Sequence, residues 1–251
     1  MRINPQTDPI RAAAELIRSS RKTIAFTGAG ISVESGIPDF RGPDGVWSKI
    51  DTKYLDIHYF KRHRETCWKV IHEMFFNPLQ KARPNAAHEG LAWMEEKGFL
   101  AGVITQNIDN LHHKAGSRYV VEFHGNTRRL VCTHCGNQEP ADFNRLGLPP
   151  VCPQCGSILK PDFVFFGEGI PFAAWRGTEE LLKDLEVMIV IGTTGVVFPA
   201  GQIPRQAKQN GVKLIEINLE PSAYTGGLTD IFIQSPATRA VEALKEALTA
   251  G

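Results

Sequence analysis

The stretch Thr23-Ile24-Ala25-Phe26-Thr27-Gly28-Ala29-Gly30 leads from an apolar, strand-like segment directly into a glycine turn. A strand that ends in such a turn is how α/β proteins bring backbone N–H groups up to a diphosphate. The dinucleotide fingerprint G-x-G-x-x-G would require glycine at position 33, where this chain has Val33. The segment continues to Asp39-Phe40-Arg41. We therefore expect a phosphate-binding loop that differs from the loop of hydride-transferring dehydrogenases.

Length, charge and hydropathy limit the classes of protein to consider. The 251 residues suffice for one α/β core with a small additional module. A formal net charge of +1 creates no field that favours nucleic acid or an acidic membrane surface. Residues 1–22 lack the apolar centre of a signal peptide, and the apolar stretch 187–200 is too short and interrupted to cross a membrane. We expect a soluble, cytoplasmic protein.

Strand-like and helix-like patterns alternate along most of the chain. The predicted strands cover residues 23–27, 100–105, 119–123, 187–191, 213–218 and 231–233. The predicted helices cover residues 8–20, 85–97, 111–114, 178–184, 199–209 and 236–249. This alternation predicts an α/β fold with a doubly wound, parallel, Rossmann-like sheet.

Two segments do not fit the alternating pattern. Residues 42–84 are rich in aromatic side chains whose spacing indicates short helices, and residues 126–162 have little helical periodicity. We therefore expect a main domain built from residues 1–41, 85–125 and 163–251. The helical module 42–84 and the ribbon module 126–162 are expected to form a small domain together.

The cysteines of the ribbon module are arranged for metal binding. Two C-x-x-C pairs, each followed by glycine, comprise Cys132, Cys135, Cys152 and Cys155. Their separation suits a zinc ribbon, and four thiolates complete a tetrahedron without a water ligand, so the zinc would be structural. His134 is then expected to be a turn residue, and the fifth cysteine, Cys67, a small buried apolar residue.

Polar residues or glycines follow five of the predicted strands, at Gly28, Gln106, His124, Gly192 and Asn218. In open α/β sheets ligands bind outside the carboxyl ends of the strands. We therefore expect these five positions to meet at one site. His124 in particular has a side chain suited to removing a proton near neutral pH.

Plainer roles remain open for these residues when each is taken alone. Asn107 or Asp109 could cap the helix that follows them. His124 could be a loop histidine bonded to backbone, and Gly192-Thr193-Thr194 could be an ordinary turn. An exposed Arg41 would need no function.

Together these motifs resemble those of the sirtuin family of NAD-dependent protein-lysine deacylases. The likeness extends over about residues 10–249, in the family's order. It rests on Thr27–Ser32, Gly36–Arg41, Thr105–Asp109, Leu111-His112, Ala115-Gly116, His124-Gly125-Asn126, the four paired cysteines, Phe165–Glu168, Gly192-Thr193-Thr194 and Ile217-Asn218.

The resemblance implies roles for particular residues. NAD, the co-substrate, would contact Gly28, Ala29, Gly30, Ser32, Asp39, Phe40, Arg41, Gln106, Asn107, Ile108, Asp109, Gly192, Thr193, Thr194, Asn218 and Ala237. The catalytic residues would be His124, as general base, with Asn107 and Asp109. An acetylated protein or peptide would bind as an added strand along Val164, Phe166, Gly167, Glu168, Val196 and Phe198.

The resemblance also implies the reaction, in which the acyl group passes to ADP-ribose and nicotinamide is released. Relatives that remove acidic acyl groups carry a tyrosine and an arginine in the helix that corresponds to residues 68–76. This chain has no such pair there, and Glu73 would repel a succinyl group if it pointed inward. We therefore expect deacetylation in preference to desuccinylation.

Other functions use some of the same residues. Mono-ADP-ribosyl transfer on the same scaffold is the main alternative, because it needs the same cleavage of NAD. A zinc ribbon that binds nucleic acid fits poorly with the low net charge. A dehydrogenase fits poorly with Val33.

Overall fold

The computed structural model describes residues 8–39, 45 and 50–250. Among them the strands, in chain order, are β1 (Thr23–Thr27), β2 (Val103–Thr105), β3 (Val120–Glu122), β4 (Gly125–Val131), β5 (Gln138–Pro140), β6 (Lys160–Phe163), β7 (Val187–Ile191), β8 (Lys213–Asn218) and β9 (Ile231–Gln234). The α-helices are Pro9–Ser19, Ile57–Arg62, Arg64–Ile71, Asn77–Lys81, Ala86–Glu96, Leu111–Lys114, Phe143–Leu146, Phe172–Leu182, Ile203–Gln209 and Ala237–Thr249. Further helical turns occupy Ala29–Ser35, Thr52–Leu55, His72–Phe76 and Ala200–Gln202.

The main sheet has six parallel strands in the order β3-β2-β1-β7-β8-β9. The chain first runs outward from β1 to β3 and later returns to the other side of β1 to build β7, β8 and β9. The topological switch point therefore lies between β1 and β7. The prediction of a doubly wound parallel sheet is confirmed.

The central strands are apolar because helices cover both faces of the sheet. Every residue of β1 and of β7 is buried. One core includes Ala13, Leu91 and Val241 from three helices, and the core on the opposite face includes Leu181 and Ile203. Burial on both faces is what gives a parallel sheet continuous apolar runs instead of alternating ones.

The second sheet is small and antiparallel, in the order β5-β4-β6. It carries the paired cysteines and packs against the helices of residues 57–81. Trp68 from those helices is fully buried, and its Nε1 donates a hydrogen bond of 2.7 Å to the carbonyl of Leu159. The helical module and the ribbon module thus share one core, although the domain boundaries given above remain a prediction.

Most predicted elements lie within a residue or two of the observed ones, and three need correction. The strand predicted at 100–105 spans only Val103–Thr105. The helix predicted at 178–184 spans Phe172–Leu182 and starts directly after Pro171. The helix predicted at 199–209 is divided into a turn, Ala200–Gln202, and a helix, Ile203–Gln209. None of the helices in the described residues combines the length and apolarity needed to cross a membrane.

Candidate active site

A cavity of about 910 Å³ opens at the carboxyl ends of the parallel strands. It contains residues from the ends of β1, β2, β3, β7 and β8 and from the segment after β6. The predicted site residues that line it are Gly28, Ala29, Gly30, Asp39, Gln106, Asn107, Ile108, His124, Val164, Phe166, Gly167, Glu168, Gly192, Thr193, Thr194, Phe198, Asn218 and Ala237. The fold therefore brings most of the predicted residues to one place.

Three glycines join the two halves of the sheet at the switch point. The Gly28 amide donates to the carbonyl of Ile191 at 2.9 Å, and the Gly30 amide donates to the carbonyl of Gly192 at 2.9 Å. A Cβ atom added to Gly30 would lie 2.6 Å from the Gly192 Cα, and one added to Gly28 would lie 2.7 Å from the Gly192 carbonyl oxygen. In this structure the glycines provide close backbone contact, and these two amides are directed at protein carbonyls instead of the cavity.

Ser32 and Asp109 lie behind the cavity wall instead of on it. Both are buried, and the Ser32 hydroxyl donates to Asp109 Oδ2 at 2.7 Å. The Asn107 amide donates to Ser32 Oγ at 3.2 Å and to the Gly28 carbonyl at 3.1 Å. Asp109 also accepts at 2.9 Å from the amide of Leu111, the first residue of the following helix, whose N-cap is Asn110. Burial raises the pKa of Asp109, and the hydrogen bonds from Leu111 and Ser32 oppose that rise.

His124 faces the cavity with a defined tautomer. Its Nδ1 lies 3.1 Å from the carbonyl oxygen of Gln106. Because a carbonyl can only accept, the hydrogen belongs to Nδ1 and the lone pair to Nε2. Burial lowers the pKa of His124 below its ordinary 6.5, against the opposite effect of the Gln106 hydrogen bond. The imidazole is therefore neutral at pH 7 and able to accept a proton.

Asn218 presents a single free acceptor at the β8 side of the cavity. Its Nδ2 donates to the Thr193 carbonyl at 3.2 Å and to Glu216 Oε1 at 3.0 Å. Both partners are acceptors, so the amide orientation is fixed and both N–H groups are in use. Oδ1 remains to accept from a hydroxyl, which suits a ribose. Gln106 spans the switch point by donating to the Thr193 hydroxyl at 3.0 Å.

The segment after β6 is held at the edge of the cavity by backbone hydrogen bonds. The Val164 amide donates to the His124 carbonyl at 2.8 Å. Phe166 pairs with the helical module, donating to the Leu55 carbonyl at 2.8 Å and accepting from the Ile57 amide at 3.0 Å. The Phe166 side chain is half exposed, as are Val196 and Phe198, although Val196 is not among the cavity-lining residues.

The four paired cysteines converge as the zinc-ribbon pattern predicts. Their sulfur atoms all lie within 4.8 Å of one another. A zinc ion with Zn–S bonds of about 2.3 Å requires sulfurs about 3.8 Å apart, so this donor set fits zinc. Each pair forms the same turn: the amides of Gly136 and Gly156 donate to the carbonyls of Cys132 and Cys152 at 2.9 Å. His134 is not part of this cluster, and Cys67 is fully buried.

Several cavity residues were not among the predicted site residues, although Val33, Pro38, Phe165 and Ile217 lie in segments that the sequence analysis quoted. They comprise Val33, Glu34, Pro38, Leu55, Phe75, Phe163, Phe165, Ile170, Val197, Pro199, Ile217, Leu219, Glu220, Pro221, Ser222, Ser235 and Pro236. Only their placement near predicted strand ends could have indicated some of them, and Phe75 comes from a separate module.

Glu73 is exposed, so the inward orientation needed for repulsion of a succinyl group is not present. Phe40 and Arg41 lie outside the described residues.

Comparisons with known proteins identify the family of this chain. The model of the Sir2 family matches residues 28–199. The chain is 45% identical over 237 residues to the NAD-dependent protein deacylase 2 of Pyrobaculum aerophilum, covering 93% of each. It is 44% identical to the NAD-dependent protein deacylase of Aeropyrum pernix, covering 94% of this chain and 96% of the relative.

Solved structures give the same result. A Sir2 enzyme superposes with a TM-score of 0.88 at 39% identity, over 97% of this chain and 98% of its own. A Sir2 in complex with a p53 peptide and NAD+ superposes with a TM-score of 0.85 at 35% identity, over 96% and 99%. Both the sequence and the fold are thus shared over nearly the whole chain. This chain belongs to the Sir2 family.

Proposed function

We propose that this protein is an NAD-dependent protein-lysine deacetylase that transfers the acyl group to ADP-ribose and releases nicotinamide. The observation that carries this proposal is the neutral His124, whose Nε2 is free to accept a proton in the cavity. On one side of it lie the residues proposed to hold NAD, and on the other lies Val164 of the proposed peptide-binding segment. Relatives named as NAD-dependent protein deacylases support the proposal.

Different residues at the strand ends would contact the adenosine end and the nicotinamide end of NAD. Asn218 would accept from a ribose hydroxyl on the adenosine side, close to Thr193. Gln106, Asn107 and Ile108 would surround the nicotinamide end. We propose that Ser32 and Asp109 support the loop from behind, since both are buried in this structure.

When bound, NAD supplies an anomeric carbon that the acyl oxygen of the lysine attacks as nicotinamide leaves. His124 Nε2 then accepts the proton of a ribose hydroxyl and makes that oxygen nucleophilic toward the acyl carbon. Water completes the reaction, which yields lysine and O-acyl-ADP-ribose. The apolar walls near Phe163 and Phe165 would exclude competing water.

The cavity favours an uncharged acyl group. No lysine or arginine is among the described residues that line it. A succinyl carboxylate that entered the cavity would lose its hydration and find no described cation to pair with. Removing an unpaired charge from water carries a large desolvation cost. Leu55 and Phe75 instead offer apolar surface to an acetyl group. The lack of a cation among the described cavity residues therefore supports acetyl preference, and the repulsion first expected from Glu73 is not needed.

The test compares acetyl-lysine and succinyl-lysine versions of one peptide, each incubated with the enzyme and NAD and followed by mass spectrometry. We expect deacetylated peptide, nicotinamide and O-acetyl-ADP-ribose, with a much slower succinyl reaction. Faster removal of succinyl would contradict the proposed selectivity. Labelled ADP-ribose on protein, without loss of acetyl groups, would favour mono-ADP-ribosyl transfer instead.

A further inference from the structure

Lys160 is a buried cation that the proposed mechanism does not use. Its side chain is only 4% exposed, at the start of β6 in the cysteine-bearing sheet. Lysine is almost never fully buried unless it is paired, because removing its charge from water is costly. Burial lowers the pKa of Lys160, and the Glu168 carboxylate opposes that change. The position of this cation therefore calls for a structural explanation.

All three hydrogens of the Lys160 ammonium have acceptors. It donates to the carbonyls of Pro161 at 2.9 Å and Phe163 at 2.7 Å, and it pairs with Glu168 Oε2 at 3.0 Å. The same nitrogen lies 4.3 Å from the ring centroid of Phe165, within the range of a cation–π contact. The ammonium thus contacts β6 and the segment that follows it at four points.

Glu168 connects the Lys160 ammonium to the backbone of the segment. Its Oε2 also accepts from the Phe165 amide at 2.9 Å, and its own amide donates to the Phe165 carbonyl at 3.0 Å. Residues 165–168 are therefore closed into a turn whose carboxylate is neutralised by Lys160. Val164 and Phe166, on either side of Phe165, line the cavity.

We propose that Lys160 is a positioning residue that anchors the peptide-binding segment 164–168 to the cysteine-bearing ribbon. The inference rests on the proposed function, since it takes that segment to be the strand along which the acetylated peptide binds. An added strand depends on backbone groups held in a fixed line. Without the ammonium, Glu168 would turn toward water and the turn would lose its closing hydrogen bond. The peptide would then bind more weakly, while NAD, at the other strand ends, would bind as before.

The test replaces Lys160 with methionine, which keeps the length of the side chain and removes the charge. We expect the KM and the Kd for an acetylated peptide to rise about tenfold, equivalent to about 1.4 kcal/mol. The KM for NAD should stay within about twofold. Lys160→Arg retains the charge and several donors and should recover most of the peptide affinity. Glu168→Gln, which removes only the charge of the partner, should weaken peptide binding less than Lys160→Met.

Arg129→Met is the matched control, because it breaks an ion pair with Asp162 at 2.9 Å in the same small sheet. Asp162 lies on β6, two residues beyond Lys160, but the Arg129 side chain is 55% exposed. This variant should bind peptide like the wild type. Zinc content and Tm of every variant show whether the ribbon is intact, and if Lys160→Met does not fold, Lys160→Gln is measured in its place against the same criteria.

The outcomes separate this inference from the proposed function, because peptide binding is measured directly as well as through turnover. Unchanged peptide affinity in Lys160→Met, or an equal loss in Arg129→Met, overturns the role of Lys160. So does a rise in the KM for NAD that matches the rise for peptide. A wild-type enzyme that binds the peptide without deacetylating it overturns the proposed function alone, and one that binds no peptide overturns both.

Discussion

The contact between Gly30 and Gly192 at the switch point can be tested with a single methyl group. In Gly30→Ala the new Cβ would start 2.6 Å from the Gly192 Cα and 3.0 Å from its carbonyl oxygen, and an ordinary contact needs at least 3.4 Å. Both neighbours are backbone atoms, so the turn Ala29–Ser35 must move away from β7. Overpacking of this kind costs about 1–3 kcal/mol. For a chain of this size that predicts a fall in Tm of roughly 2–12 °C.

The displaced turn also carries residues proposed to contact NAD. Since misplacement by about 1 Å can cost about a hundredfold in rate, we expect kcat/KM for NAD to fall by about 10- to 100-fold. The measurements are differential scanning fluorimetry and steady-state kinetics at saturating peptide. Gly226→Ala is the matched control, because a Cβ there has no neighbour within 4 Å and the residue is exposed. If Gly30→Ala matches the wild type in both measurements, the close-contact argument is wrong.

Three further predictions concern the base, the pH dependence and the metal. His124→Asn should lower kcat by about 10²–10⁴-fold with little change in Tm, and near-normal turnover would refute the general-base assignment. His88, buried beside His112, has its pKa lowered by burial from 6.5 to about 4. Between these two pH values His88 is protonated in the unfolded chain and neutral in the folded chain. The free energy of unfolding is therefore unaffected by His88 above pH 6.5, and it falls by up to roughly 3 kcal/mol as the pH drops to about 4. His88→Gln should flatten that part of a urea-midpoint profile, and an unchanged slope would count against it. Cys132→Ser should lose zinc and lower Tm, since structural zinc contributes folding free energy, and a stable zinc-free protein would contradict the ribbon assignment.

The central sheet was predictable because its two middle strands, β1 and β7, are almost entirely apolar. β1, β7 and β8 were predicted with their observed bounds, since burial on both faces leaves no polar residue inside the first two. The residues just beyond those strands followed from the same reasoning. A parallel sheet brings its carboxyl ends to one edge, so Gly28, Gly192 and Asn218 had to be neighbours.

The small domain was less predictable because its strands do not look like strands. β4, from Gly125 to Val131, is mostly polar, and its partners are only three and four residues long. The cysteine spacing indicated the metal cluster without indicating the strands around it. Lys160 could not be recognised either, because a lysine in sequence is expected to be exposed until its partners are known.

The details behind the cavity wall also depended on three-dimensional contacts. The sequence placed Ser32 and Asp109 near NAD but could not show that they bond to each other and are buried. Phe75 reaches the cavity from a separate module, so no local pattern pointed to it. The positions of such residues depend on how the modules pack together, and the periodicity of one segment does not encode that packing.

The hydrogen bond from His124 to the Gln106 carbonyl ties the chemistry to strand register. β2 and β3 pair in parallel with Thr105 beside Glu122. The Gln106 carbonyl, one residue past β2, therefore meets the His124 imidazole, two residues past β3. The tautomer of the base is therefore a property of how two strands are aligned. Changes of length in the connection between β2 and β3 leave that alignment intact. One residue gained or lost between Glu122 and His124 would separate the imidazole from the carbonyl that orients it, even with every side chain of the site still present.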